Sequence, residues 1–109
     1  MPGQIFYNKL VRDRIKEKIE GKGEACEVRV IEGDEEFKRE LLKKVVEEAR
    51  ELAASDSRDA FLSEYADLMA ALDALADLYE FSEADIRTAI SENMEKKGGF
   101  KKRHFLIWS

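Results

Sequence analysis

The sequence predicts an all-α protein resembling a four-helix bundle. Three observations lead there: long stretches with apolar residues at helical spacing, cap-forming residues at the breaks between them, and few helix breakers. The chain has only one proline and six glycines in 109 residues, which leaves room for long helices. That length accommodates one core, so residues 1–109 are expected to form a single domain.

From Asn8 to about Glu20 the apolar positions Leu10, Val11, Ile15 and Ile19 recur at helical spacing among charges, which predicts a first helix that Gly21 and Gly23 stop. Cys26 to Ile31 alternates with period two and is expected to be a short strand. Asp34 suits an N-cap, with Glu35 and Glu36 favourable at the positive helix end. The helix it opens is expected from about Glu35 to Ala54, with Phe37, Leu41, Val45, Ala49, Leu52 and Ala53 on its apolar side. Ser55-Asp56-Ser57 breaks that helix and caps the next, expected from about Arg58 to Tyr79. Ser82-Glu83-Ala84-Asp85 reads as a capping box for a last helix ending at Gly98-Gly99. The tail His104-Phe105-Leu106-Ile107-Trp108 is a candidate second strand, pairing with 27–31.

The stretch Ala66 to Leu78 contains Leu68, Met69, Leu72, Leu75, Leu78 and five alanines, so it is apolar on more than one face. Such a helix is expected to be buried on two sides, the second against another subunit. The alternative is a flat alanine-lined surface.

Composition narrows the function classes. Charged residues are 39% and apolar residues 44%, a globular mixture. The net charge of −5 disfavours a protein that grips nucleic acid, so no nucleic-acid partner is expected. No apolar run approaches the ~18 residues of a membrane span, and the start carries no signal-peptide pattern. Cys26 is alone, so a reducing, cytoplasmic location is expected.

The chemistry-bearing feature is a set of carboxylates on the apolar side of two helices. Six Glu-x-x-Glu pairs occur in the chain, so the pattern by itself distinguishes nothing. Position does. At about 100° per residue, Glu48 falls on the stripe of Leu41, Val45 and Leu52, with Glu51 at its edge. Glu64 and Asp67 repeat the anomaly beside Leu68, Ala71, Leu75 and Leu78. An ionised carboxylate facing a core is costly unless paired or metal-bound. Residues at i and i+3 lie about 5–6 Å apart and packed helices about 8–10 Å apart, so the two pairs can converge. Twelve residues separate Glu51 from Glu64, which implies a short turn and antiparallel helices.

Converging carboxylates repel one another unless a cation neutralises them. An all-oxygen set suits Mg²⁺ or Mn²⁺, whereas zinc and di-iron sites want histidine or cysteine, and His104 and Cys26 lie far away in sequence. Mg²⁺ retains water and phosphate ligands, which points to a phosphorylated substrate. The competing reading is that Glu48 pairs with Arg50 or a lysine, while Glu64 and Asp67 lie on a solvated edge. The pattern alone leaves both open.

Glu47-Glu48-x-x-Glu51 followed by Glu64-x-x-Asp67 resembles the EExxE…ExxD signature of the all-α nucleoside triphosphate pyrophosphohydrolases. This MazG-like superfamily also includes dimeric dUTPases and phosphoribosyl-ATP pyrophosphohydrolase. Tyr7-Asn8-Lys9-Leu10-Val11-Arg12-Asp13-Arg14-Ile15 resembles the KLVRDxI opening of a compact branch, and Lys97-Gly98-Gly99-Phe100 resembles its RGGF close. The likeness spans nearly the whole chain. One departure is Lys16, where the branch usually has proline, a change expected to lengthen the first helix.

The resemblance implies a MazG-type fold and Mg²⁺ (or Mn²⁺) ligation by Glu48, Glu51, Glu64 and Asp67. Glu47 would be an outer partner or base, and Glu47 or Glu51 would take the proton of an attacking water. It implies cleavage of a nucleotide between its α and β phosphates, by a homodimer or homotetramer. Lys9, Arg12, Asn93, Lys96 and Lys97 are the candidates for phosphate binding, two groups that could meet at the mouth of the bundle. Phe61, Tyr65, Phe100 and Trp108 suit a core or an interface better than base stacking. Two other functions stay in view: phosphoribosyl-ATP pyrophosphohydrolase of histidine synthesis, and a non-catalytic nucleotide-binding or oligomerisation module.

Overall fold

The computed structural model describes residues 3–109 and is all-helical, with no strand among those residues. Four helices follow in order: α1 (Ile15–Gly21), α2 (Asp34–Ala54), α3 (Arg58–Leu78) and α4 (Glu83–Lys97). No helix among the described residues is long and apolar enough to cross a membrane.

Helices α2 and α3 form the centre of the molecule and are the one helix pair in packing contact. Only Ser55, Asp56 and Ser57 connect them, so they run antiparallel as an αα-hairpin. The Ser57 hydroxyl fixes the turn by accepting the Ala60 backbone N–H at 3.0 Å, which satisfies one free donor at the start of α3. Between the helices, Leu41, Ala71 and Leu75 are the buried apolar side chains. Phe37, Val45 and Leu52 are half-buried beside them, while Ala49 and Ala53 lie on the exposed side of α2.

α3 ends in a Schellman motif. The Phe81 N–H donates to the Ala76 carbonyl at 3.0 Å and the Glu80 N–H to the Asp77 carbonyl at 2.9 Å. This motif normally recruits glycine, because its closing residue is left-handed; here Glu80 takes it at φ 63°. α4 opens with the expected capping box. The Asp85 N–H donates to Ser82 Oγ at 3.0 Å, and the Ser82 N–H donates to Asp85 Oδ2 at 2.9 Å. α4 packs on no other helix, so its cap carries an unusual share of its stability. Ser82→Ala is expected to cost about 1 kcal/mol, read as faster amide hydrogen exchange over residues 83–97 with α2 and α3 unchanged.

Three expectations need correction. The first helix begins at Ile15, not near Asn8. Asn8 adopts φ 46°, a left-handed conformation that asparagine tolerates and a helix does not, so residues before Ile15 form an irregular strap. Lys16 lies in the first turn of α1. The segment Cys26–Ile31 is not a strand and the tail does not pair with it. Val30 is 81% exposed, and Arg29 instead makes a two-pronged ion pair with Glu36, at 3.0 and 2.6 Å. Alternation without a ladder partner leaves the backbone groups to water. Asp34 is the first helical residue of α2 and Gly33 its N-cap, so Asp34, Glu35 and Glu36 act through the helix dipole and not through a side-chain cap.

The molecule is open. Its radius of gyration is 18.3 Å and its extents are 60 × 34 × 26 Å, against about 13 Å for a compact chain of this length.

Candidate functional site

The acidic residues meet where α2 and α3 face each other. Glu48, Glu51 and Glu64 each place a carboxylate oxygen within 4.8 Å of the others. Glu48 is only 8% exposed and is the buried charged residue of the described chain. It sits there because its place on α2 belongs to the Leu41 stripe, so the packing that buries Leu41 takes Glu48 with it. Glu64 comes from α3, where the stripe of Ala71 and Leu75 holds it inward.

These carboxylates are under-satisfied. Glu48 Oε2 and Glu64 Oε2 are shielded from solvent and have no hydrogen-bond partner. Lys44 stands 3.8 Å from Glu48 Oε1, but its shorter contact, 2.8 Å, is with Glu47. A lysine therefore does approach Glu48, as the competing reading required, yet it leaves the second oxygen unpaired. Burial, then the close Glu51 carboxyl that favours a proton held between the two, then the Glu51 and Asp67 charges, push the Glu48 carboxyl up to about 7. Loss of water around its shielded oxygen, then Glu51 and Asp67, push Glu64 upward as well. Glu47 goes the other way: Lys44 and Lys9 hold it below the usual glutamate range.

Asp67 is near enough to act on both raised carboxyls but is not one of the three that converge. Its partner is Arg12, at 3.5 Å. The strap before α1 thus lies against the acidic end of the hairpin. Lys9 Nζ donates to Glu47 Oε1 at 2.8 Å, which raises the Lys9 pKa. Two of the expected phosphate-binding residues, Lys9 and Arg12, are therefore at the site. The other three are not. Asn93, Lys96 and Lys97 are carried on α4, which does not pack on α2 or α3, so within one chain the two basic groups do not meet. Helix periodicity places these residues on α4 but says nothing about where α4 docks.

Lys44 was missed from the sequence although its spacing gives it away: it precedes Glu47 by three residues and Glu48 by four, the helical ion-pair offsets. An open groove of about 500 Å³ lined by Lys43, Val46, Glu47, Arg50 and Glu51 adjoins the carboxylates on the outer side of α2. It joins two site acids to two further cations. Phe61 and Tyr65, with ring centroids 6.3 Å apart, lie on α3 and remain half-exposed, and Phe100 and Trp108 are almost fully exposed. None of the four is part of this chain's core.

A hard divalent cation fits this donor set. Two shielded, partnerless oxygens are what an anionic oxygen cage presents before it is neutralised, and no histidine or cysteine joins the group. Glu48, Glu51 and Glu64 would hold such an ion, Mg²⁺ or Mn²⁺ by the chemistry of an all-oxygen donor set. No family model matches the chain, and neither a curated protein nor a solved structure matches it.

Proposed function

We propose that this chain is a Mg²⁺-dependent nucleotide pyrophosphohydrolase of the MazG-like class, acting in the cytoplasm as a homo-oligomer. The observation that carries the reading is the pair of shielded, partnerless oxygens on Glu48 and Glu64, converging with Glu51. Neighbouring carboxylates that cannot all ionise cheaply are arranged for a cation, and this cation's chemistry favours phosphate oxygens. The sequence signature around the same residues supplies the reaction class.

In this reading Glu48, Glu51 and Glu64 hold the metal and Asp67 adds charge at its edge. When bound, Mg²⁺ supplies charge neutralisation for the phosphates and lowers the pKa of water. Glu47, kept ionised by Lys44 and Lys9, accepts the proton of the attacking water; Glu51 is the other carboxylate in reach. Lys9 and Arg12 turn from the carboxylates to the substrate phosphates. Water cleaves the anhydride between the α and β phosphates, giving a nucleoside monophosphate and pyrophosphate.

The test is product release from a panel of NTPs, dNTPs and modified nucleotides with Mg²⁺, separating pyrophosphate from orthophosphate. Wild type is expected to release pyrophosphate, and Glu48→Gln and Asp67→Asn to lose about a hundredfold or more in rate. Turnover of phosphoribosyl-ATP alone would assign the chain to histidine synthesis. Silence on every substrate would sink the enzymatic reading in favour of a non-catalytic module.

A further inference from the structure

Among the described residues, Glu47 is the one acid of the site that holds a cation on each of its two oxygens. Lys9 Nζ donates to Oε1 and Lys44 Nζ to Oε2, both at 2.8 Å. The two lysines are held in different ways. Lys44 lies on α2 itself, three residues before Glu47, a spacing at which helix geometry brings side chains together. Its side chain is only 14% exposed and also approaches Glu48 Oε1 at 3.8 Å, so packing and two acids keep it in place. Lys9 comes from the strap, 38 residues away in sequence, and its side chain is 44% exposed. Glu47 also lines the open groove on the outer side of α2, so water and a phosphate chain have a path to it without any helix moving.

We propose that the two lysines have separate roles on Glu47: Lys44 is a positioning residue that fixes the carboxylate, and Lys9 is a removable cover over the oxygen that takes the proton of the attacking water. The inference rests on the pyrophosphohydrolase reading and adds to it a residue and an order of events. At rest each oxygen of Glu47 accepts from an ammonium, so a water at either must share it. A polyphosphate offers Lys9 several anionic oxygens in place of one carboxylate oxygen, and charge-assisted bonds to phosphate are strong. Lys9 leaves and Oε1 opens, while Lys44 holds Oε2 and keeps the carboxylate from rotating away. A proton of the water then passes to Oε1 as the water oxygen bonds to phosphorus. The bridging P–O bond breaks, and its electron pair leaves with the departing phosphate group. The proton passes on to solvent and Lys9 returns. The base is thus uncovered by the substrate that needs it, and a ligand without a phosphate chain leaves it covered.

The variants Lys44→Met, Lys44→Arg, Lys9→Met and Glu47→Gln decide it. Each is followed by its Tm, its steady-state kinetics with Mg²⁺, and calorimetric binding of the α,β-methylene analogue of the best substrate. Glu47→Gln is expected to lower kcat about a hundredfold and Lys44→Met about tenfold or more, with KM and analogue binding for both within about threefold of wild type. Lys44→Arg still donates to Glu47 and is expected to regain most of the loss. Lys9→Met is expected to act mainly on binding: analogue affinity and KM weaken about tenfold, while kcat falls less than in Lys44→Met. Because Lys44 acts through Glu47, the double variant Lys44→Met/Glu47→Gln should be no slower than Glu47→Gln alone. Losses that multiply in the double variant would overturn the proposal and make Lys44 a counterion of Glu48 only. So would a Lys9→Met variant whose kcat falls as far as that of Glu47→Gln; this arm, on the exposed strap, also decides the matter if Lys44→Met does not fold. A wild type that turns over nothing would remove the underlying reading and this inference with it. An active wild type equalled by Lys44→Met would remove this inference alone.

Discussion

Glu48→Gln is expected to stabilise the metal-free protein at pH 8 while removing its response to Mg²⁺. The folded chain holds the Glu48 carboxyl up to about 7, above its ordinary value of 4.5, chiefly through burial. Between those two values the native state binds more protons at this group than the unfolded state does. Stability therefore falls as pH rises through that window, and the whole penalty is present above about pH 7. At 1.36 kcal/mol per unit its ceiling is about 3 kcal/mol, with the attraction of Lys44 already included. Glutamine removes the charge, and its amide N–H groups can donate to the Glu51 and Glu64 carboxylates. Thermal melts from pH 5 to pH 8 check this: wild type should lose stability without metal and regain it with Mg²⁺ at pH 8, whereas Glu48→Gln should lose less and respond little to Mg²⁺, the remaining loss coming from Glu64, whose carboxyl is also pushed up. A wild type whose melting is indifferent to Mg²⁺ at pH 8 would remove the reason to regard the acids as a cation site.

The second large effect belongs to Leu41, which is 3% exposed and faces Ala71 and Leu75 on the adjoining helix. Leu41→Ala is expected to cost about 3 kcal/mol, from lost burial and the cavity left behind. A domain has only 5–15 kcal/mol in total, and this seam has no other large apolar side chain buried on α2. The loss should therefore displace Glu48 along with the core. Chemical denaturation measures it, with Val30→Ala on the exposed 26–31 segment as the comparison, expected within about 0.5 kcal/mol of wild type. A cost for Leu41→Ala as small as that of Val30→Ala would mean that the α2–α3 seam does not hold the fold.

How much of this was legible in the sequence depended on how local each signal was. α2, α3 and α4 were readable because apolar periodicity and the Ser57 and Ser82 caps are written within a few residues of the features they make. The acids were readable for the same reason: a charge on an apolar stripe is anomalous before any coordinates exist. Apart from the α2 N-cap, which is Gly33 and not Asp34, the failures are questions of docking. Cys26–Ile31 alternates like a strand, but a strand exists only when a second segment lies beside it. Residues before Ile15 carry helical spacing, yet Asn8 turns the chain and Lys9 and Arg12 find acids on other helices. Lys96 and Lys97 sit on α4 as expected, and nothing in their spacing told that α4 would stand clear of the hairpin.

The strap formed by residues before Ile15 has a consequence for how the site loads. Lys9 and Arg12 rest on Glu47 and Asp67 in contacts largely open to solvent, and such pairs contribute only about 0–1 kcal/mol each. They act as resident counterions that are cheap to displace. Under the proposed function, Lys9 and Arg12 would exchange anionic partners on substrate binding, leaving Glu47 and Asp67 for the phosphates. The two cations would thereby offset part of the polyphosphate's negative charge at a surface that stays open to solvent, and return to the carboxylates when product leaves.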